Sequence, residues 1–285
     1  MRPEIEDADL QSPISNLQPR IPDPPRVSVI TPSFNLCEYL RRTADSILSQ
    51  RGPFDLEWIV IDGGSTDGTV ELLRSLAASD PRVRFTSESD RGQSHAINKG
   101  LTRATGDVVA WLNADDLYAP GALASVVDAF SRHPDAQWLV GRYEVIDAHD
   151  RPIRPGVVRY KERKLRRYRY RKLLRENFIP QPAVFWRRAF GEAVGPLDES
   201  LNWTMDYDLW LRMGRRCDPL VIDPLLARFR LHDTSKSGDF NRRQFDEGYE
   251  VARRYFDGDW ASRLAHRLNV EKIVWAYRAM RWAGR

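Results

Sequence analysis

The chain has 285 residues, enough for one α/β domain with a sizeable core plus appendages. Its hydrophobic share of 42% and nine Trp place it among folded globular proteins rather than disordered ones. The net charge of +4 is concentrated: Arg159–Arg175 holds ten Lys/Arg and one acid, so its +9 leaves −5 for the remainder and excludes a uniformly basic, nucleic-acid-binding surface. Cys37 and Cys217 lie far apart with no second Cys or His at ligand spacing, so neither a zinc site nor a disulfide framework is expected, which fits a reducing compartment. No apolar run reaches membrane-spanning length, and the amino terminus lacks the apolar core of a secretory signal.

Residues 1–25 contain six Pro and several acids without hydrophobic periodicity, and read as a mobile tail. Val27–Ile30 is the first buried-type strand, and Thr31-Pro32-Ser33-Phe34-Asn35 reads as the loop that ends it. Glu38–Gln50 has helical spacing, and Leu56–Ile61 is a second strand. Asp62-Gly63-Gly64-Ser65-Thr66-Asp67-Gly68-Thr69 is a glycine-rich turn, with Asp67 or Thr66 placed to cap a helix over Thr69–Ala78. Val83–Thr86 is a short strand, His95–Thr102 a helix, Val108–Leu112 a strand apolar enough to be covered on both faces, and Pro120–Arg132 a helix with Pro in its first turn. Alternating strands and helices predict βαβ units and a mostly parallel sheet.

The second half changes character. Gln137–Ile146 reads as one long strand or a strand pair, Asn177–Trp186 has a strand-like end, and Arg187–Val194 and Asp206–Met213 read as helices. A further strand lies within Pro219–Arg230, a polar loop covers His232–Gly238, and Phe240–Arg285 looks helical nearly throughout, its Leu264, Leu268, Val274, Trp275, Tyr277, Met280 and Trp282 expected to pack onto the rest of the chain, with a membrane surface as the second reading. Leu165, Tyr168, Leu173 and Leu174 stand among the cations of Arg159–Arg175. That pattern suits a solvated helix face, a patch for anionic lipid headgroups, a dock for an acidic acceptor, or RNA; lipid ranks first.

Chemistry concentrates where strands end. Asn113, Asp115 and Asp116 follow the strand Val108–Leu112, and in open α/β sheets the ligand crevice lies outside the carboxyl ends of the strands. Carboxylates there can hold a divalent cation, while an Asx-turn needs the same residues for local reasons. Asp62, backed by two glycines, can accept hydrogen bonds from a base or ribose beside Thr31 and Ser33, or can simply serve its turn. Neither a P-loop nor a dinucleotide fingerprint is present.

Taken together, VSVITPSFN, EWIVIDGGSTDGT, DRGQSHAINKGL with WLNADD, then NFIPQPAVFWRRAFGEAVGPLDESLNWTMDYDLWLRM and FRLHDTSKS, closely resemble family 2 glycosyltransferases of the GT-A fold over about residues 26–238. The resemblance implies a Rossmann-like, mostly parallel central sheet flanked by helices over 26–239, divided into a donor half (26–118) and an acceptor and catalytic half (119–239), with a helical extension over 240–285. It implies sugar transfer with inversion from a nucleotide-diphosphate sugar, a UDP-sugar for preference, to a glycan or lipid-linked acceptor. Thr31, Ser33, Asp62, Asp90, Asn113, Ala114 and Asp115 would bind the donor. Asp115 and His232 would hold Mn²⁺ or Mg²⁺; because Asn113 stands where the family has an Asp, either metal affinity would be lower or Asp116 would assist. Asp206 would be the general base and Asp208 structural. Gln181 and Trp186 would serve the acceptor, the Trp by stacking on a sugar, unless it packs under the helix Arg187–Val194. The expected place is the cytoplasm, with Arg159–Arg175 able to touch the inner membrane face; nucleic acid is not favoured. The competing class is a binding module for nucleotide sugars or anionic polymers, without catalysis. A nucleotidyltransferase would need a glycine- and basic-rich loop after its first strand, which TPSFN is not.

Overall fold

The computed structural model describes residues 22–233, 235 and 242–282. Most of the expected tail, most of the loop after His232, and the side chains of Tyr277, Met280 and Trp282 lie outside the described residues. In chain order the elements are β1 (Arg26–Ser33), α1 (Cys37–Leu48), β2 (Asp55–Asp62), α2 (Thr69–Ser79), β3 (Val83–Ser87), α3 (Gln93–Leu101), β4 (Val108–Trp111), β5 (Leu117–Tyr118), α4 (Ala122–Arg132), β6 (Trp138–Ile146) and β7 (Pro152–Ile153). There follow α5 (Pro155–Leu165), α6 (Tyr170–Leu173), β8 (Val184–Arg187), α7 (Arg188–Val194), α8 (Met205–Arg216), β9 (Leu220–Arg230), α9 (Arg242–Arg253) and α10 (Trp260–Trp282).

Among the described residues the strands form one sheet in the order β3-β2-β1-β4-β8-β6-β9-β5, with β7 on β6. β1, β2, β3 and β4 are mutually parallel. β8 enters antiparallel between β4 and β6, and β9 runs parallel to β6. Strands β1–β4, β6 and β9 therefore all point the same way, and their carboxyl ends share one edge. The loops after β1, β2, β3, β4 and β9 meet there.

β1 runs on through the residues that read as a loop, because Thr31–Ser33 pair with Val60–Asp62 of β2. Pro32 is tolerated for a geometric reason. The Ile30 carbonyl accepts from the Leu112 N–H on the β4 side. Two residues on, the Pro32 nitrogen faces that same side past the last β4 partner, where no ladder bond is lost.

Apolar side chains cover both faces of the sheet. Val27, Val29, Trp58 and Val60 pack with α1 and α2, while Ile30, Ile59, Ile61, Val109 and Trp111 pack with α3 and α8. A Cβ on Gly100 would come within 2.3 Å of Ile30, so this glycine lets α3 lie directly on β1. The second face is dominated by aromatics. Trp210 of α8 stacks between Trp111 of β4 (5.8 Å, 13°) and Trp138 of β6 (6.0 Å, 13°) and is fully buried. This clamp fixes the height and rotation of α8, whose first turn carries Asp206. Trp210→Ala is expected to cost about 3–5 kcal/mol, as for other large aromatic truncations, and urea denaturation followed by circular dichroism would measure it.

The basic stretch forms α5 and α6. Leu165, Tyr168, Leu173 and Leu174 are core residues, not an exposed face. Several of its cations are paired: Lys164 with Glu176, Arg166 with Asp223, Arg171 with Asp259. The long helical tail is broken at Arg254–Asp259, where Asp257 and Gly258 both take positive φ (45° and 82°). Its first part is integral to the domain. Glu247 of α9 accepts the N–H groups of Asn202, Trp203 and Thr204 in the loop leading into α8, and Val251, Ala252 and Phe256 join the core. No described helix is long and apolar enough to cross a membrane.

Candidate active site

The crevice is built from loops that hold one another. Asn35, at φ 51°, accepts the Thr66 N–H through its side chain (2.8 Å) and donates its own N–H to the Ser65 hydroxyl (2.7 Å), joining the loops after β1 and β2. Asp67 accepts from Cys37 N–H at the start of α1 and from Thr69 N–H at the start of α2, serving both helices at once.

The Asp62 carboxylate is fully buried and turned into its own loop, accepting from Gly64 and Ser65 N–H and from the Ser65 and Ser87 hydroxyls. It shapes the crevice wall; the outward carboxylate is Asp90, which takes the Gly92 N–H through Oδ1 (2.7 Å). A Cβ on Gly63 would stand 2.9 Å from Asp90 Oδ2 and 3.3 Å from Phe34, so Gly63 opens the space in which Asp90 and Phe34 face each other. Phe34 is 61% exposed, an aromatic face at the end of β1 that suits stacking on a planar base. Sequence reading passed over it, although an apolar residue inside a polar strand-end loop was a usable signal. The Thr31 hydroxyl accepts the Trp58 indole N–H (2.9 Å) inside the core, whereas the buried Ser33 hydroxyl has no partner among the described residues.

At the end of β4, Asn113 is the centre of an amide chain. It accepts from Gln93 Nε2 (2.9 Å) and donates to Gln181 Oε1 (3.1 Å), and Gln181 Nε2 donates to the Trp111 carbonyl (2.8 Å). Gln181 thus braces the strand end. Ala114 is buried behind it.

Asp115 points the other way and meets His232, with Oδ2 and Nε2 2.9 Å apart. The two are 117 residues apart and are joined because β4 and β9 end at the same edge. His232 is also stacked on Tyr39 of α1 (4.4 Å, 24°). The Asp115 backbone is fixed by buried Arg230, whose Nε donates to the Asp115 carbonyl (2.7 Å).

Asp116 does not join this pair. It is fully buried and accepts the Arg230 N–H (2.8 Å), tying β9 to the loop. Burial, then the neighbouring Asp115 charge, holds its carboxyl well above the usual carboxylate range. The expectation that Asp116 assists a metal is corrected by that orientation.

A carboxylate oxygen and an imidazole nitrogen at this separation fit adjacent ligands of one octahedral cation, which at about 2.1 Å from each would lie about 3 Å apart. No described group of three or more His, Cys, Asp or Glu could hold a metal by itself. The set therefore fits an ion whose coordination is completed by substrate phosphates, as Mg²⁺ prefers.

Asp206 lies in the first turn of α8, half-buried. Oδ1 accepts its neighbour's N–H at Tyr207 (2.7 Å), and Oδ2 receives Asn177 Nδ2 at 3.3 Å. Burial pushes its carboxyl up to about 6, against the lowering effects of the Tyr207 N–H, Lys161 and Asn177. Lys161, on α5, has its ammonium pKa pressed down by burial, opposed by Asp206 and Glu176. Nothing in the sequence separated Lys161 from the other cations of its stretch. The segment from Asn177 to Gln181 links the two ends of the site, since Asn177 touches Asp206 and Gln181 touches Asn113. Four residue steps span at most about 14 Å, so the candidate base and the donor cluster are neighbours.

Asp208 is a structural acid, buried and bound to Arg212 (2.9 Å) and the Tyr255 hydroxyl (2.9 Å). Trp186 is corrected as an acceptor platform. It is 3% exposed, lies edge-on to Trp111 and Trp210, and is covered by α7, where a Cβ on Gly191 would meet its Nε1 at 2.4 Å.

A sequence profile described as Glycosyl transferase family 2 matches residues 28–193. The glycosyltransferase Rv1514c of Mycobacterium tuberculosis is similar to this chain, 30% identical over 251 residues, covering 82% of this chain and 91% of the relative. A glycosyltransferase of Nostoc, alr2836, is 33% identical over 129 residues, which is 45% of this chain; the match spans 39% of that longer protein. Among solved structures, S. aureus TarS 1–349 in complex with UDP-GlcNAc has a TM-score of 0.63 at 17% identity, over 82% of this chain and 67% of that one. Mannosyltransferase PcManGT from Pyrobaculum calidifontis, in complex with GDP-Man and Mn²⁺, has a TM-score of 0.60 at 20% identity, over 96% and 85%. The architecture is therefore the GT-A fold, and the crevice at the strand ends falls within the matched region apart from α8 and His232. The chain belongs to glycosyl transferase family 2 and is a glycosyltransferase.

Proposed function

We propose that the chain is an inverting glycosyltransferase moving a sugar from a nucleotide-diphosphate sugar, a UDP-sugar for preference, to a hydroxyl of a glycan or lipid-linked acceptor. The observation that carries this reading is the pairing of two sites at one sheet edge: Asp115 against His232 on the donor side, and a carboxyl poised at about 6 on the acceptor side. Phe34, Gly63 and Asp90 offer an aromatic face, open space and a carboxylate for the base and ribose. Ser33 adds an unspent hydroxyl.

Asp115 and His232 would hold Mn²⁺ or Mg²⁺, which when bound supplies positive charge against the departing diphosphate. Asp206 acts on the acceptor. Its Oδ1 is spent on the Tyr207 N–H, so Oδ2 takes the proton of the acceptor hydroxyl while that oxygen attacks the anomeric carbon. The bond from that carbon to the diphosphate oxygen breaks with its electron pair, and attack from the opposite face inverts the centre. Asn177 orients the carboxylate, and Asn177 and the Lys161 charge both favour its ionised form. The working place is the cytoplasmic face of a membrane, with residues 26–239 as the catalytic domain, 240–285 as its extension, and the cations of Arg159–Arg175 toward the lipid. Among these, Arg159, Arg163 and Arg167 have no carboxylate partner among the described residues.

The test is release of nucleoside diphosphate from a panel of UDP-, GDP- and dTDP-sugars with Mn²⁺, with and without a lipid-linked or glycan acceptor. Acceptor-stimulated release from one nucleotide class is expected. Binding of a donor with no release under any acceptor would turn the reading to the silent binding module.

A further inference from the structure

α10 has two faces. Ser262 and His266 are buried against the domain, with His266 Nδ1 at 2.9 Å from the Leu174 carbonyl and Arg175 Nε donating to the Ser262 hydroxyl (3.1 Å), and Val274 is buried as well. The outer face carries Trp260, Leu264, Leu268 and Trp275, which are 74%, 50%, 53% and 70% exposed. At about 100° per residue these four fall within an arc of about 80°, a single apolar stripe about 22 Å long. They are four of the seven large apolar side chains exposed among the described residues. A stripe of this kind, ended by Trp at both extremities, is not what a solvent-facing helix needs.

Its charge surroundings select one occupant. Arg263 and Arg267 flank one edge of the stripe and Lys272 the other, and α10 as a whole holds five Lys/Arg against one acid. That acid, Glu271, lies inside the arc but is paired with Arg242 of α9 (3.2 Å). α10 also abuts the basic α6 segment. An amphipathic helix with a Trp- and Leu-lined face, cationic edges and too low a hydropathy to span is the form that lies in the headgroup region of an anionic bilayer.

We propose that α10 is a membrane-docking helix that lays this stripe into an anionic lipid surface, with Arg263, Arg267 and Lys272 at the headgroups. The position deepens the lipid-linked acceptor reading, and rests on it only for what the docking serves. The chain that α10 grips at Leu174 and Arg175 continues to Asn177, which touches Asp206. Docking there would bring the acceptor side of the crevice next to the lipid.

The experiment is flotation of the full chain with phosphatidylcholine vesicles, with and without phosphatidylglycerol, comparing wild type with the stripe variant Trp260→Ser/Leu264→Ser/Leu268→Ser/Trp275→Ser. Expected are binding to anionic vesicles at least tenfold above neutral ones and a tenfold or greater loss in the variant. A second variant, Leu264→Glu/Leu268→Glu, is expected to lose binding likewise, and carries the test if the first does not fold. Variant flotation equal to wild type would overturn the proposal in favour of the basic stretch alone. Absence of wild-type flotation would overturn it outright, as would a stripe variant that only converts a dimer to a monomer in sedimentation velocity. Nucleotide-induced stabilisation, measured on the same preparations, is expected to be unchanged in the variants. Its absence from wild type would count against the transferase reading and leave the docking result standing.

Discussion

Asp206→Asn is expected to lower turnover by two or more orders of magnitude while leaving nucleotide binding nearly intact, the size of loss typical of a removed general base. Its pH dependence is specific. The base works deprotonated, so wild-type kcat/KM should rise with pH through about 6 and level off above it. Lys161 lowers the Asp206 pKa by its charge, so Lys161→Met should shift that rise to higher pH without abolishing the plateau. A merely structural Asp206 would show neither shift.

Stability separates the roles further. The folded-state pKa is raised above that of an unfolded Asp. The folded protein therefore holds this proton more tightly, and loses stability as pH rises between about 4 and 6. The cost, on the order of 1–3 kcal/mol, is fully present at neutral pH. Asp206→Asn removes it, so the Tm at pH 7.5 should not fall and is expected to rise. An inactive variant with an unchanged or higher Tm identifies a residue kept for chemistry at the expense of stability. Unchanged turnover would remove Asp206 from the mechanism.

The second large effect is on the donor side. Asp115→Ala is expected to abolish metal-dependent donor binding and reduce turnover at least a hundredfold, and EDTA should do the same to the wild type. His232→Ala should act in the same direction but less, because the imidazole carries no negative charge for the cation. The Arg230 contact to Asp115 uses the backbone carbonyl, so Asp115→Ala leaves the buried Arg230 network in place and should melt close to wild type, whereas His232→Ala also removes a buried ring stacked on Tyr39 and should melt lower. Full activity in EDTA would show that Asp115 and His232 are simply a hydrogen-bonded pair.

Much of this arrangement was legible in the sequence because it is local or repeats a recognisable order. The βαβ rhythm, the acids after β4 and the acid at the head of α8 each follow from short-range pattern. His232 was legible only through resemblance, since its partner lies 117 residues away and is reached through sheet order. The misreadings have common causes. Pro32 reads as a strand end, yet sits where one side of β1 has already lost its neighbour. Leu165, Tyr168, Leu173 and Leu174 of Arg159–Arg175 read as an amphipathic surface pattern, but α5, α6 and the turns beside them put these four into the core. Asp257-Gly258 carried a turn signal inside a tail read as helical nearly throughout. Trp186 could not be told from an exposed platform, because whether an aromatic stacks on a sugar or under α7 depends on Gly191 and two other Trp brought in from distant elements. Asn177 and Lys161 gave no signal at all: their role exists only in relation to Asp206.

The most direct test is thermal denaturation of the full chain against UDP, GDP and dTDP and their sugar conjugates, each with Mn²⁺ and with EDTA. Ligand that binds the native state raises Tm by mass action, by about 2.7 kcal/mol of stability at a hundredfold excess over Kd. Stabilisation by one nucleotide class is expected, present with Mn²⁺, lost with EDTA and lost in Asp115→Ala. A folded wild-type protein whose Tm responds to no nucleotide, or responds equally in EDTA and in Asp115→Ala, would contradict a metal-assisted donor site at Asp115.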